Sequence, residues 1–168
     1  MGGALFHPGN ANSLAEANFF WDPDAVNIVF KSKIPIYIIP LNISDYVPLE
    51  LDRILNQSFK IFIDKLFKKY NYHYKYEKKY FLSPKNNFKK EIYKAGCLHD
   101  PLVVTSIINP KIINFTKIFV STQNIHNPRG FVYPVIRNDQ PNDDCYQLNV
   151  AVVFNKDLFW KTINQLLT

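Results

Sequence analysis

DPDAVNIVFKSKIPIYIIPL, residues 22–41, decides the fold class of this chain. Asp22 can accept hydrogen bonds as a helix cap, and Pro23 suits the first helical position. Apolar residues then recur at helical spacing, at Ala25, Val26, Val29 and Phe30. The nearly all-apolar run at 34–41 is typical of a strand buried on both faces, as in a parallel sheet. A capped helix that leads directly into such a strand predicts an α/β fold.

The segments on either side extend the same architecture. Apolar residues at helical spacing predict further helices at 48–69, 100–109 and 156–167. Three β-rich runs, separated by turn residues, predict strands at 115–123, 130–136 and 146–154. This alternation favours one α/β domain with a mixed sheet and flanking helices.

The composition excludes several classes of protein. The chain has 168 residues, of which 47% are hydrophobic and 20% charged, a globular balance that excludes a fibre or a disordered tail. No apolar run reaches about 18 residues, so no membrane span is expected, and the opening MGGALF lacks the parts of a signal peptide. The two cysteines, Cys97 and Cys145, are far apart, which fits a reducing compartment. We therefore expect a cytoplasmic protein without a membrane partner.

The net charge of +6 is concentrated in a lysine-tyrosine segment at 60–94, where eleven lysines stand against three acidic residues. Basic residues interleaved with aromatic rings can bind single-stranded nucleic acid. However, the segment has no arginine, and no RNA-binding or helix-turn-helix pattern accompanies it. We favour a solvated surface insertion at about 70–94. A nucleic-acid-binding module is kept as an alternative.

A first polar cluster contains Asn10, Glu16 and Asn18, just before a run of aromatic residues. One acid and two amides close in sequence can hydrogen-bond vicinal hydroxyls, as a sugar-binding site must. In the alternative interpretation, Asn10 fills a turn and Glu16 faces water. Composition alone favours that alternative.

A second cluster is His99-Asp100, at a predicted junction between a loop and a helix. A histidine can give a proton to a leaving group near neutral pH. An aspartate can ligate a hard cation through oxygen. The alternative is that Asp100 simply caps the helix that Pro101 opens.

The remaining polar residues give weaker signals. Thr122-Gln123 and Arg129-Gly130 are interpreted as a polar pair that stabilises a turn between strands. The sequence has no Walker phosphate loop and no GxGxxG, GxSxG or HExxH motif. The cysteines lack the spacing of a zinc site. Three further histidines are isolated and expected to be structural or solvent-facing: His7, His73 and His126.

Taken in order, these motifs resemble the nucleoside hydrolase family, the inosine-uridine preferring N-ribohydrolases. The family's central block of MGG, GN, AEFN and a DP-x-A helix stands here at 1–3, 9–10, 15–18 and 22–25. Its PLD strand end, HDPLAVA block, TQG and TRG segments and closing FW stand at 40–42, 99–104, 122–124, 128–130 and 159–160. The resemblance covers nearly the whole chain apart from the insertion.

The resemblance implies a partial nucleoside hydrolase fold with a Rossmann-like, mixed but mostly parallel sheet. It implies cleavage of the N-glycosidic bond of uridine- or inosine-type ribonucleosides to ribose and free base. It places Asn10, Glu16 and Asn18 at the ribose hydroxyls and gives His99 a catalytic role in departure of the base. It also implies Ca²⁺ as the cofactor, with Asp100 as a metal ligand.

The chain departs from the family pattern at its amino-terminal side. The signature DTDPGxDD, which supplies most of the calcium ligands in the family, is absent from the sequence. We therefore interpret residues 1–168 as the carboxyl-terminal portion of a nucleoside hydrolase domain. The expected partners are a ribonucleoside and either a second copy of the chain or a full-length homologue. The alternative to an active hydrolase is a catalytically inactive remnant or a regulatory paralogue.

Overall fold

A four-stranded mixed sheet with helices packed against it organises the chain. The computed structural model describes residues 1–69, 96–123, 128–135 and 145–168. The strands lie in the order β1-β4-β2-β3 and are β1 (Tyr37–Ile38), β2 (Ile113–Gln123), β3 (Phe131–Pro134) and β4 (Cys145–Phe154). The helices are α1 (Ala17–Trp21), α2 (Pro23–Lys31), α3 (Leu41–Ser44), α4 (Gln57–Lys69), α5 (His99–Ile108) and α6 (Lys156–Leu166). The predicted α/β class is confirmed, while the predicted insertion at about 70–94 lies outside the described residues.

The sheet is mixed, as predicted, but its parallel majority is not found among the described strands. β1 runs parallel to β4, with Tyr37 opposite Asn149. β4 and β2 are antiparallel, with Ser121 opposite Cys145, and β2 and β3 are also antiparallel. β2 and β3 are consecutive in the chain and adjacent in the sheet, and a short separation in sequence suits antiparallel rather than parallel pairing.

The apolar run at 34–41 forms a much shorter strand than predicted. β1 contains only Tyr37 and Ile38, and Leu41 already begins α3. Because Tyr37 is 64% exposed, the prediction of a strand buried on both faces is wrong. The two prolines of the run cannot donate the amide hydrogen that strand pairing needs, and β4 is the only strand that pairs with β1 in the described ranges.

Most of the helices predicted from the sequence are found, some with different bounds. α2 begins as predicted, with Pro23 in its first turn and the Asp22 side chain accepting a hydrogen bond from the Ala25 amide at 2.9 Å. The helix predicted at 48–69 starts only at Gln57, because a 3₁₀ turn precedes it. Among the helices that the structure describes, none combines the length and the apolar character needed to cross a membrane.

Two apolar clusters lie on opposite faces of the sheet. Phe19 and Phe30, from α1 and α2, pack in the cluster that contains Val150. Phe159 of α6 packs in the cluster that contains Ala151. Val150 and Ala151 are neighbours in β4, and successive side chains of a strand point to opposite faces. Helices therefore pack on both faces of the sheet, where some apolar side chains stay exposed, and the strand ends are left for a site.

Candidate functional site

The amino-terminal loop and the loop after β1 are joined at the carboxyl end of β1. The amide of Gly2 donates to the carbonyl of Ile39 at 3.2 Å, and the amide of Leu41 donates to the carbonyl of Gly3 at 2.9 Å. α3 follows β1 directly and ends at Ser44. In α/β proteins, ligands bind beyond the carboxyl ends of strands. This end of the sheet is therefore the candidate site.

Backbone hydrogen bonds hold the segment that leads into α5 against the same region. The amide of Leu98 donates to the carbonyl of Val47 at 2.8 Å, and the amide of Leu49 donates to the carbonyl of Gly96 at 2.9 Å. These two hydrogen bonds bring His99, the first residue of α5, next to the end of α3. The prediction that His99 lies at a junction between a loop and a helix is confirmed.

The His99 ring is held between two groups from the end of α3. Its Nδ1 lies 2.9 Å from the hydroxyl oxygen of Ser44, and its Nε2 lies 3.6 Å from Oδ1 of Asp45. Ser44 is fully buried, whereas about a quarter of the His99 side chain, 26%, is exposed. A buried hydroxyl and a carboxylate therefore fix the orientation of an imidazole that solvent or a ligand can still reach.

Asp45 is the centre of a cluster that the sequence interpretation missed. Its Oδ2 lies 3.7 Å from Nδ1 of His7, and the Cys97 thiol donates to its main-chain carbonyl at 3.2 Å. The His7 side chain is only 12% exposed, which agrees with the structural one of the two roles expected for it and not with the solvent-facing one. The short spacing of Cys97 and His99 was the one signal available in the sequence, since nothing pointed to Asp45.

Asp100 has a different position from the one expected of a helix cap. The helix begins one residue earlier, at His99, and its capping residue is Leu98, which makes no side-chain cap hydrogen bond. The alternative in which Asp100 caps the helix is therefore wrong. Asp100 is instead an exposed residue of the first turn, where a negative charge interacts favourably with the helix dipole.

Glu16 is a buried helix cap rather than a water-facing residue. Only 2% of it is exposed. Its carboxylate accepts hydrogen bonds from the amides of Gly3 at 3.1 Å, Asn18 at 2.8 Å and Phe19 at 3.2 Å. The alternative in which Glu16 faces water is therefore wrong, because three backbone donors bind it at the start of α1.

The two amide residues of the first cluster lie on the surface beside Glu16. The side-chain oxygen of Asn10 accepts a hydrogen bond from the amide of Ala17 at 2.8 Å. The side-chain nitrogen of Asn18 donates to the carbonyl of Met1 at 3.3 Å. Both residues are exposed. The structure thus brings Asn10, Glu16 and Asn18 together around the start of α1, as their sequence spacing suggests.

Arg129 and Thr122, from the polar pair noted in the sequence, join β2 and the segment before β3 to two helices. The guanidinium of Arg129 donates to the carbonyls of Phe20 at 2.8 Å and Trp21 at 3.0 Å, at the end of α1. The hydroxyl of Thr122 donates to the side-chain oxygen of Asn27 in α2 at 2.6 Å. These residues have a structural role, as favoured from the sequence, but they bind helices rather than a turn between strands.

The chain matches the family model described as inosine-uridine preferring nucleoside hydrolase over residues 1–161. It belongs to this family. The resemblance drawn from the ordered motifs is therefore confirmed.

Two relatives and one solved structure support the assignment to the nucleoside hydrolases. The chain is 31% identical over 135 residues to probable uridine nucleosidase 2 of Oryza sativa subsp. japonica, covering 74% of this chain and 35% of that protein. It is 26% identical over 167 residues to the inosine-uridine preferring nucleoside hydrolase of Crithidia fasciculata, and this match covers 95% of this chain and 48% of that protein. The purine-preferring ribonucleoside hydrolase from Gardnerella vaginalis has the same fold, with a TM-score of 0.73 at 25% identity over 99% of this chain and 50% of that one. This nucleoside hydrolase chain thus spans half or less of the length of these proteins.

The residues that the structure describes do not by themselves fit a calcium ion. Calcium takes about six to eight oxygen ligands, mostly from carboxylates, carbonyls and water. Asp100 offers one carboxylate from the exposed first turn of α5. Within the described ranges, the one group of three side chains spaced to hold a metal ion consists of Asp45, Cys97 and His99, and two of these donors are sulfur and nitrogen.

Proposed function

We propose that this nucleoside hydrolase chain takes part in hydrolysis of the N-glycosidic bond of uridine- or inosine-type ribonucleosides. The observation that carries the proposal is the placement of His99, whose ring is fixed by Ser44 and Asp45 at the carboxyl end of β1. Family membership over residues 1–161 supports the class of reaction. The printed names of the rice and Crithidia relatives support the class of substrate.

His99 is the proposed catalytic residue. In the reaction, the oxygen of water forms a bond to C1′ of ribose, the bond from C1′ to the base nitrogen breaks, and the base gains a proton. A histidine can donate that proton near neutral pH. Ser44 and Asp45 act as positioning residues in this scheme, because both contact the ring of His99.

Asn10, Glu16 and Asn18 are the proposed ribose-binding residues. The amide side chains of Asn10 and Asn18 are exposed and can both donate to and accept from sugar hydroxyls. Glu16 already accepts three backbone hydrogen bonds. A carboxylate offers about four acceptor positions, so one is left for a hydroxyl. The same carboxylate would thus stabilise the amino-terminal loop and bind a sugar hydroxyl.

The metal and partner expectations belong to the same proposal. Asp100 is proposed as one oxygen ligand of the family's calcium ion, although the described residues do not complete such a site.

Association with a second copy or with a full-length homologue is supported by exposed apolar residues of the sheet, such as Tyr37 at 64% and Phe119 at 41%. A cytoplasmic location is supported by the presence of only two cysteines, which suits a reducing compartment.

The test is release of base from uridine and from inosine by the purified chain, with added calcium and with a chelator in parallel. His99→Ala should lower kcat/KM by about 100-fold or more, the usual loss when a general acid is removed. His73→Ala is the matched control, because His73 belongs to the lysine-tyrosine segment and to no proposed site. Equal activity of the His99→Ala variant would contradict the assigned role.

The two alternative functions predict different results when the same purified chain is tested. A catalytically inactive remnant or regulatory paralogue gives no base release from either nucleoside at high protein concentration. A nucleic-acid-binding module retains single-stranded RNA in a salt-sensitive way and loses it when 70–94 is deleted. Most of the lysine-tyrosine segment lies outside the described residues, so that module stays a prediction from the sequence alone.

A further inference from the structure

Three side chains of different chemistry converge next to the proposed sugar site. The carboxylate of Asp45, the sulfur of Cys97 and a ring nitrogen of His99 all lie within 4.8 Å of one another. Cys97 and His99 flank a single residue at the start of α5, and Asp45 follows the last residue of α3. All three are partly buried.

The backbone holds these three residues in place. The bridge between Pro48 and Cys97 and the hydrogen bond from the Leu98 amide to the Val47 carbonyl fasten the start of α5 beside the residues that follow α3. The Cys97 thiol contacts the carbonyl of Asp45 at 3.2 Å. The cluster is therefore a product of main-chain pairing and does not depend on mobile surface side chains.

The His99 ring has the orientation that metal-binding histidines require. A ligating histidine usually donates its other ring N–H to a fixed acceptor, which sets its tautomer. Here Nδ1 faces the Ser44 hydroxyl at 2.9 Å, which leaves Nε2 directed toward Asp45 at 3.6 Å. On the far side, Oδ2 of Asp45 faces Nδ1 of His7 at 3.7 Å. Ser44 is thus the outer partner of His99, while Nδ1 of His7 lies closer to the carbonyl of Pro8, at 2.8 Å, than to Asp45.

The donor set selects the class of ion. Thiolate and imidazole ligands suit zinc, whereas calcium binds oxygen almost exclusively. In a tetrahedral zinc site, ligand atoms are separated by about 3.3–3.8 Å, given the usual bond lengths. The distance between Nε2 of His99 and Oδ1 of Asp45 is already 3.6 Å. Since all three donor atoms lie within 4.8 Å of one another, the remaining separations need to close by about 1–1.5 Å at most, a side-chain adjustment.

We propose that Asp45, Cys97 and His99 form a binding site for Zn²⁺ or an ion of similar softness. The Cys97 thiol releases its proton on binding, since the thiolate is the ligand. Three protein ligands leave a fourth position for water. The short spacing of Cys97 and His99 is visible in the sequence, but it does not indicate the site, because Asp45 is distant along the chain and the two cysteines lack zinc-site spacing. The proposal concerns binding and does not depend on nucleoside hydrolysis. Nε2 of His99 cannot hold zinc and give a proton to the base at the same time, so zinc binding and the proposed role of His99 in hydrolysis exclude each other.

The experiment titrates the metal-free full chain with Zn²⁺ by calorimetry, and with Co²⁺ followed by absorption. Cobalt bound to a thiolate gives a sulfur-to-metal charge-transfer band that oxygen or nitrogen ligands do not give. Cys97→Ser should abolish this band and weaken zinc binding at least tenfold. Cys145→Ser is the matched control and should leave both unchanged, because Cys145 lies in β4, outside the cluster.

Asp45→Asn provides a second test if Cys97→Ser fails to fold. It should keep the cobalt charge-transfer band and weaken zinc binding about tenfold or more, as removal of a charged ligand does. The proposal is overturned if the wild-type chain gives no thiolate band with cobalt. It is equally overturned if the band survives in Cys97→Ser, or if Cys145→Ser removes it.

Discussion

Nε2 of His99 lies 3.6 Å from Oδ1 of Asp45, and this contact joins two loops that are distant in the sequence. The other oxygen of the same carboxylate faces His7 at 3.7 Å. One aspartate therefore connects the amino-terminal loop, the end of α3 and the start of α5. Nδ1 of His7 lies closer to the carbonyl of Pro8, at 2.8 Å, so the ring that Asp45 helps to orient is that of His99. Removing the carboxylate should therefore slow the proposed reaction.

Asp45→Asn should lower kcat for nucleoside hydrolysis about tenfold while leaving KM nearly unchanged, because the ring of His99 loses its charged positioning partner but the ribose contacts persist. The measurement is initial rates over a range of uridine or inosine concentrations. Asp24→Asn, an exposed change in the first turn of α2, is the control. If Asp45→Asn lowered kcat as much as His99→Ala does, Asp45 would have to do more than position the ring.

Glu16→Ala should reduce the free energy of unfolding by about 2–4 kcal/mol, because three backbone amides near a buried position lose their acceptor and α1 loses its cap. Urea unfolding followed by circular dichroism measures this change. Asn18→Ala removes only an exposed side chain with a long hydrogen bond to Met1 and should cost much less. Equal losses in the two variants would argue against Glu16 as the structural centre of the loop.

Gly130→Ala should destabilise the chain more than Gly3→Ala, although both glycines have positive φ, of 71° and 85°. A Cβ at position 130 would lie 2.5 Å from the carbonyl oxygen of Phe19, which is backbone and cannot rotate away. At position 3 the nearest atom would be a Val132 side-chain carbon at 3.1 Å. Strain at positive φ costs about 1–3 kcal/mol in both variants. Because both variants have this strain, the difference between their melting temperatures measures the cost of the steric clash at position 130.

Phe159→Ala should cost about 3–5 kcal/mol of stability, because Phe159 is fully buried in the apolar cluster around α6. Trp21→Ala is the matched aromatic control, since Trp21 is 75% exposed and surface changes usually stay within about 0.5 kcal/mol. Chemical denaturation of both variants compares them directly. A small effect at Phe159 would contradict the packing of α6 against the sheet.

The isolated chain should self-associate through the exposed apolar residues of the sheet. The ring of Tyr37 contacts Phe115 edge-on at 5.1 Å, and Phe119 follows on the same face of β2. Large exposed apolar patches favour association. Sedimentation velocity should show species larger than the monomer, and the double change Tyr37→Ser with Phe119→Ser should shift the distribution toward monomer. A wild-type chain that sediments as a single monomeric species at high concentration would contradict this expectation.

Local signals in the sequence determined the α/β class, the helix at Pro23–Lys31, the cluster of Asn10, Glu16 and Asn18, and the place of His99 at a helix start. They did so because capping, helical spacing and close sequence neighbours act over a few residues. The ordered motifs also determined the family, since their order along the chain is itself sequence information.

Only the tertiary structure decided what those residues contact. The burial of Glu16 depends on Gly3 folding back onto it, and the exposure of Tyr37 depends on which strand pairs with β1. The cluster of Asp45, Cys97 and His99 exists because backbone pairing brings the start of α5 to the end of α3. Contacts of this kind join residues far apart in the chain, so no local pattern in the sequence encodes them.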